Sequence, residues 1–264
     1  MNDKLGTRMK DQYENRTRYF LPRRTYTVIR LDGKAFHTYT KGLNRPFDKE
    51  LIADMDAAIA ATMSQLQGAV FAYTQSDEVS ILLTDLENET TSAWFDGNIQ
   101  KMVSVSASIM TAEFNKFRWQ RFINKKSTNL LGIENTTAYF DCRTFTIPDR
   151  VEVMNYFRWR QQDCIRNSVS MVAQSNFSHK ELHGKSQSDM HEMLHNKGVN
   201  WATDYTDGEK NGRVIMKETF NEKFAVAGTT ELFVSERTRW VTRGAWVFSK
   251  DEGKLLNMIP KYEI

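Results

Sequence analysis

The spacing of apolar residues predicts strands that alternate with helices in the first part of the chain. Residues 25–32 have strand composition and end at Gly33. A polar loop follows, and Asp48 is placed to cap a helix over residues 49–67 that ends at Gly68. The apolar side chains of that helix recur at helical spacing: Leu51, Met55, Ile59, Met63 and Leu66.

The same pattern continues beyond Gly68. Residues 69–73 and 79–83 read as two strands, and the five residues between them are too few for anything but a hairpin. Residues 94–118 predict a second helix, and residues 136–147 predict another strand. Pro148 and Asp149 then open a long helix that reaches about Phe177.

The element order β-α-β-β-α-β, with more helix behind it, predicts an α+β fold with helices packed on an antiparallel sheet. Residues 119–135 and 202–212 are polar and predict loops. Short runs at 231–235 and 243–249 predict a small terminal hairpin. We therefore expect one domain over residues 1–200 and an extension over residues 201–264 that packs on it.

Composition narrows the function classes only slightly. The formal net charge of +3 permits a polyanionic partner, although charge must be clustered to matter. The two cysteines do not make a disulfide framework and favour a reducing compartment. No run of apolar residues approaches the length of a membrane span. These features predict a soluble, cytoplasmic protein without a membrane partner.

Two carboxylates fall at adjacent positions of the predicted sheet. Asp32 closes the first strand and Asp77 lies at the turn of the following hairpin, so both should meet at one edge of the sheet. Two carboxylates and a backbone carbonyl suit Mg²⁺, and two such ions about 4 Å apart could activate a hydroxyl and stabilise a leaving pyrophosphate. Alternatively, both are simply turn residues, since Asp is common in turns. The sequence pattern does not explain why Glu78 lies inside a run of residues suited to burial.

Five motifs stand in order along the chain: RLDGKAFH at 30–37, RPFD at 45–48, QSDEVS at 75–80, FDCR at 140–143 and WRQQDC at 159–164. Together they resemble the tRNA-His guanylyltransferase family and its guanylyltransferase-like relatives. The resemblance covers roughly residues 10–200. It implies a catalytic domain similar to the palm of ordinary polymerases, in nucleotidyltransferases that add nucleotides in the 3′-to-5′ direction.

The resemblance also implies roles for individual residues. Asp32 and Asp77 would be the catalytic carboxylates and would bind two Mg²⁺ ions, with the carbonyl of Gly33 as a further ligand. The nucleotide-binding residues would be Arg45, Ser76, Lys101, Asn167 and His37, of which His37 could equally be a packed histidine. Relatives often have Lys in place of Arg45, and a basic residue in place of Asn98.

One departure from the family pattern bears on the substrate. Eukaryotic members carry H-I-N-N where this chain has Ile165-Arg166-Asn167-Ser168. This difference favours template-dependent repair of 5′-truncated tRNA, with ATP, GTP and other nucleoside triphosphates as substrates, over dedicated addition of G to tRNA-His. The resemblance further implies a homotetramer built as a dimer of dimers.

Two alternatives of other classes stay open. Another palm-type nucleotide enzyme would share the carboxylates, and a non-catalytic RNA-binding module could keep the fold. The basic and aromatic runs at 18–24 and 114–122 could bind RNA phosphates and stack on bases, or could be solvated helix ends.

Overall fold

The computed structural model describes residues 3–124, 137–225 and 232–261. The strands in these residues form one sheet and confirm the predicted mixture of helix and antiparallel sheet. They are β1 (Tyr26–Gly33), β2 (Ala69–Gln75), β3 (Glu78–Leu83), β4 (Phe140–Ile147), β5 (Arg213–Ala225) and β6 (Leu232–Gly244).

The helices of the described residues include the three long ones that the sequence predicts. Asp48 and Asp149 cap two of them, each accepting from two backbone N–H groups. The helices are α1 (Lys4–Gln12), α2 (Phe36–Tyr39), α3 (Lys49–Met63), α4 (Ile99–Asn124), α5 (Arg150–Asn176), α6 (His179–Leu182), α7 (Gln187–Asn196), α8 (Trp201–Asp204), α9 (Asp207–Asn211) and α10 (Glu252–Met258).

The strand order in the sheet is β4-β1-β3-β2-β5-β6, and each neighbouring pair is antiparallel. β1 lies beside the β2–β3 hairpin, as the sequence predicts, with Leu31 opposite Val79. The hairpin turn contains only Ser76 and Asp77, because both strands extend further into the polar segment than their apolar runs do.

Each face of the central strands is covered by helices, because alternate side chains of a strand point to opposite faces. Ile29 and Leu31 pack in one cluster with Met55 of α3 and with Met110 and Phe114 of α4. The other face forms a second cluster, which contains Val28, Tyr73, Phe157, Phe248 and Leu255. The strands that carry the carboxyl end of β1 and the β2–β3 turn are therefore held by a packed apolar cluster on each face of the sheet.

The carboxyl-terminal part differs from the sequence prediction. In place of a small hairpin, β5 and β6 are thirteen residues each, and β5 pairs with β2. Beyond Met216 the two strands pair only with each other, and cross-strand ion pairs such as Glu222 with Arg237 replace apolar burial. Because these residues have no covered face, they show no apolar alternation. The sequence pattern therefore did not predict the full length of the two strands.

The predicted loops are also partly helical. Residues 119–124 continue α4, and α8 and α9 occupy most of residues 202–212. Residues 125–135 of the first predicted loop lie outside the described residues. Within the described parts of the chain, no helix combines the length and the apolar character needed to cross a membrane.

Most arginines of the two basic and aromatic runs are held by the protein itself. Arg23 contacts Asp85 at 3.1 Å, and Arg24 donates to the carbonyls of Asp85 and Asn88. In the second run, Arg118 and Arg121 both donate to a carboxylate that is almost completely buried on α3. These arginines therefore fix the fold, and the hypothesis that they bind RNA phosphates loses its support.

We expect Asp54→Ala to lower the free energy of unfolding by about 3–5 kcal/mol, because it leaves the buried Arg118 without its carboxylate partner. Urea unfolding followed by circular dichroism measures this change. The control is Lys116→Ala, which removes the more exposed pair with Glu113 on the same helix and should cost less than about 1 kcal/mol. Similar losses in the two variants would contradict the assignment.

Candidate active site

Asp32 and Asp77 lie close enough to interact, at one end of the central strands. Asp32 follows Leu31, which pairs with Val79, and Asp77 lies in the turn that precedes β3. Burial raises the pKa of the Asp77 carboxyl, and the charges of Asp32 and Glu78 raise it further. Burial likewise raises the pKa of Asp32, with a further contribution from Glu78. The cationic groups of the protein therefore neutralise these two carboxylates only in part.

The backbone around the two carboxylates is tightly shaped. Ser76 has φ of +47°, as a two-residue hairpin turn requires, and its side chain hydrogen-bonds to Asp77. A Cβ atom at Gly33 would lie 2.2 Å from the ring of Phe36, so only glycine fits there. The ring of Phe36 packs against Gly33 and fixes the chain directly after Asp32.

A buried ion cluster lies next to the β2–β3 turn and explains how the charge of Glu78 is tolerated in a buried strand. Its carboxylate accepts from Nε of Arg160 at 2.7 Å, from Nη2 of Arg160 at 2.8 Å and from Nη2 of Arg30. Arg160 also donates to Asp163, one helical turn further on α5. The cluster joins β1, the hairpin and α5, so Glu78 orients the turn.

A cavity of about 330 Å³ opens beside the turn and collects most of the predicted nucleotide-binding residues. His37, Arg45, Ser76 and Asn167 all line it. Arg45 and Asn167 are exposed, and neither side chain makes a hydrogen bond or ion pair with another described residue. Their polar groups are therefore available to a ligand.

Lys101 lies outside that set. It is exposed in the first turn of α4, with Nζ 5.7 Å from the centre of the Phe95 ring, and it does not line the cavity. Asn98, where relatives are basic, is buried and accepts from the backbone N–H of Lys101 at 3.0 Å. Asn98 is therefore a helix cap, and its role as a capping residue accounts for the departure from a basic residue.

Sequence reasoning missed three groups at the site. Asp141 on β4 is directly opposite Asp32, and its charge contributes to the raised pKa of Asp32. Gly212 and Arg213, at the start of β5, line the cavity although the sequence predicts a loop and no site there. No local motif marks them, because their position depends on the pairing of β5 with β2.

The donor set suits magnesium. Two incompletely neutralised carboxylates and a nearby carbonyl are hard oxygen ligands, which Mg²⁺ prefers. Among the described residues, no group of three or more His, Cys, Asp or Glu side chains could hold a metal ion. An ion here would therefore take its remaining ligands from the Gly33 carbonyl, water and substrate oxygens.

The comparisons with known proteins agree with this geometry. The family Thg1, described as tRNAHis guanylyltransferase, matches residues 6–148, which contain both carboxylates. The chain belongs to the tRNA-His guanylyltransferase family. In Schizosaccharomyces pombe, the tRNA(His) guanylyltransferase is 29% identical over 226 residues, which are 81% of this chain and 80% of that protein.

Solved structures of this family share the fold. A bacterial tRNA(His) guanylyltransferase (Thg1)-like protein in complex with ATP is 38% identical, with a TM-score of 0.81 over 97% of this chain and 99% of the other. The same kind of protein in complex with GTP gives a TM-score of 0.77 and 36% identity over equal shares. The Saccharomyces cerevisiae enzyme gives 0.65 over 79% of this chain and 91% of the other, at 22% identity.

We expect Glu78→Gln to lower the free energy of unfolding by about 3–5 kcal/mol and to reduce nucleotide transfer, because Arg30 and Arg160 lose their shared anion. Chemical unfolding and an activity assay on the folded fraction measure the two effects. Glu222→Gln is the control, since its pair with Arg237 is exposed and should contribute less than about 1 kcal/mol. Full stability and activity of Glu78→Gln would exclude the orienting role.

Proposed function

We propose that this protein is a tRNA 5′-end nucleotidyltransferase that adds nucleotides in the 3′-to-5′ direction under the guidance of a template strand. The convergence of His37, Arg45, Ser76 and Asn167 on one cavity, next to Asp77, carries the proposal. A cavity with uncommitted polar groups beside two close carboxylates suits a nucleoside triphosphate whose reacting end meets a metal site.

The reaction has two steps, which balance as phosphoryl transfers. An oxygen of the RNA 5′-monophosphate attacks the α-phosphorus of ATP, which forms an adenylylated end and releases pyrophosphate. The 3′-hydroxyl of the incoming nucleoside triphosphate then attacks the RNA 5′-phosphorus and expels AMP. The new RNA end carries a triphosphate.

This chain's residues position the reactants and balance their charge. Arg45 and Ser76 bind the triphosphate in the cavity, and Asn167 of α5 also donates to it. His37 also lines the cavity and contacts the sugar or the base. Asp32, Asp77 and the Gly33 carbonyl would hold two Mg²⁺ ions, which activate the attacking oxygen and stabilise the leaving group when bound.

Two features favour templated repair over dedicated addition of G to tRNA-His. Residues 165–168 keep only the first Asn of the eukaryotic motif. The chain is also similar to the bacterial Thg1-like protein over almost its whole length, at 38% identity. Dedicated addition of G to tRNA-His is the second candidate, since curated relatives are named for that activity.

Part of the proposal concerns location and assembly. We place the protein in the cytoplasm, where its tRNA substrates and a reducing environment coincide. The proposed catalytic unit is built on residues 1–200, and residues 201–264 contribute β5 to its sheet and part of the cavity wall. Four copies form a dimer of dimers, so that one tRNA contacts more than one subunit.

The reaction is tested with a 5′-monophosphorylated tRNA that lacks its first nucleotide, supplied with ATP, Mg²⁺ and each nucleoside triphosphate in turn. We expect growth only with the nucleotide that pairs with the opposite strand. Full-length tRNA-His is run in parallel, and addition of G to it alone would favour the second candidate. Absence of both growth and an adenylylated end would exclude both reactions.

We expect Asp77→Asn to melt at a higher temperature than the wild type in EDTA. Burial raises the pKa of Asp77, so its ionised form opposes folding at neutral pH, and asparagine carries no charge. Addition of Mg²⁺ with GTP should stabilise the wild type strongly and the variant weakly, while adenylylation is lost in the variant.

The exposed Asp11→Asn variant is the control for that experiment and should behave like the wild type in both buffers. Substantial adenylylation by Asp77→Asn, or equal stabilisation of both proteins by Mg²⁺ and GTP, would contradict the metal assignment. Differential scanning fluorimetry and a labelled 5′-phosphate provide the two readouts.

A further inference from the structure

An exposed tryptophan lies next to the buried ion cluster and has no role in the scheme above. Trp159, in the middle of the 27-residue helix α5, is 50% exposed, although its neighbours Phe157 and Arg160 are buried. It does not line the nucleotide cavity. Single exposed apolar side chains are common on protein surfaces, so exposure alone does not mark a site. Trp159 differs from them in how its ring is held.

The ring is fixed in one orientation by the ion cluster. The guanidinium carbon of Arg160 lies over the indole, 4.3 Å from the ring centre. Glu78 and Asp163 hold that guanidinium through contacts of 2.7–2.8 Å. The ring of Tyr156 is 5.9 Å from the indole, at an angle of 60°. One face of the indole is therefore covered by a fixed cation, and the exposed half of the side chain offers the other face to a ligand.

The indole is close to the two carboxylates of the candidate active site. Arg160, which lies over the ring, contacts Glu78, and Glu78 directly follows Asp77 in the chain. Arg30 contacts the same Glu78 carboxylate and lies on β1, two residues before Asp32. Only two side chains therefore separate the indole from the turn that carries Asp77.

The indole and the nucleotide cavity are at different positions along α5. The α5 residues that line the cavity start at Cys164 and end at Gln174. Trp159 precedes them by more than one helical turn, and the Arg160 side chain with its bound Glu78 lies between. Under the proposed function a nucleoside triphosphate occupies the cavity. The second substrate, the RNA end, therefore reaches the carboxylates from outside the cavity.

An exposed arginine lies on the same face of the sheet as the indole. Arg143 of β4 is exposed, and its side chain makes no hydrogen bond or ion pair with another described residue. It shares its strand face with Phe145, whose ring is 5.5 Å from that of Tyr156. Tyr156 in turn lies one helical turn before Trp159. This face therefore carries uncommitted positive charge, which suits a nucleic acid.

An exposed aromatic ring is suited to unpaired bases. Bases inside a duplex are stacked on their neighbours, whereas those of a single strand can stack on an aromatic side chain. A tRNA that lacks nucleotides at its 5′ end has unpaired bases on the opposite strand. When the truncated 5′ end meets the carboxylates, that unpaired strand comes within reach of the indole.

We infer that Trp159 is an RNA-binding residue whose free face stacks on an unpaired base of the strand opposite the truncated 5′ end. The inference rests on the proposed function in taking a 5′-truncated tRNA as the substrate. It gives α5 a second role besides lining the cavity, which is to hold the template strand. Stacking tolerates all four bases, so this contact leaves the choice of nucleotide to base pairing.

The first test compares RNA ends by fluorescence anisotropy, without ATP. The probes are two hairpin RNAs with the same stem, one with a blunt end and one with a single-stranded 3′ overhang. The wild type should bind the overhang about tenfold more tightly, as expected for stacking of one base. An overhang of abasic sugars should bind like the blunt end. Equal affinity of the wild type for the normal and the abasic overhang would overturn the inference.

Variants provide the second test. Trp159→Leu should bind the overhang as weakly as the blunt end, whereas Trp159→Tyr keeps an aromatic ring and should retain the preference within about threefold. Trp119→Ala is the matched control, since Trp119 is 40% exposed on α4, which packs on the other face of the sheet. It should behave like the wild type. An unchanged preference in Trp159→Leu, or an equal loss in Trp119→Ala, would contradict the assignment.

A spectroscopic signature separates stacking from a structural effect. Fluorescence of 2-aminopurine in the overhang should be quenched by the wild type and not by Trp159→Leu, while both bind GTP with Mg²⁺ within about twofold of each other. A parallel loss of GTP affinity would show that Trp159 acts through the ion cluster and would overturn the inference. A lower mass of Trp159→Leu in sedimentation would do the same, because it would show a contact between subunits.

Thermal melting checks the fold of each variant, and the wild-type comparison of normal and abasic overhangs decides the question if Trp159→Leu unfolds. All of these experiments measure binding alone. A protein that prefers the overhang through Trp159 but transfers no nucleotide would therefore refute the proposed function and leave the stacking contact intact.

Discussion

The contact of Glu78 with Arg30 and Arg160 is the interaction on which the candidate site depends. It is buried, and it joins the strand that carries Asp32, the hairpin that carries Asp77 and the helix that carries Asn167. A buried ion cluster is a poor source of net stability, because desolvation offsets most of its attraction. Its geometry is specific, however, and it fixes three separate elements relative to one another.

In the same region, one carboxylate contributes to a stable structure, whereas two others are suited to chemistry. Glu78 has two cationic partners, whereas Asp32 and Asp77 are left with raised pKa values and a mutual repulsion. The fold therefore balances the charge of Glu78, which orients the turn. It leaves the charges of Asp32 and Asp77, which would bind metal, only partly balanced. Such an arrangement is typical of sites whose charge is balanced only when metal and substrate are present.

The cavity illustrates how distant segments produce one binding surface. Its polar part comes from the loop before α3, the β2–β3 turn and α5, and its wall is closed by the start of β5. The sheet brings β5 next to β2, and that pairing places Arg213 opposite Thr74.

The order of the first elements and the meeting of Asp32 with Asp77 can be predicted from the sequence, because apolar periodicity and turn length are local properties. Ordered motifs also identified four residues that line the cavity. Only the tertiary structure decided the partners of Glu78, the separate position of Lys101 and the approach of Arg213. These depend on strand pairing and helix packing between segments far apart in the chain. The part of the β5–β6 hairpin beyond Met216 has no covered face, so its residues show no apolar alternation from which strands could be predicted.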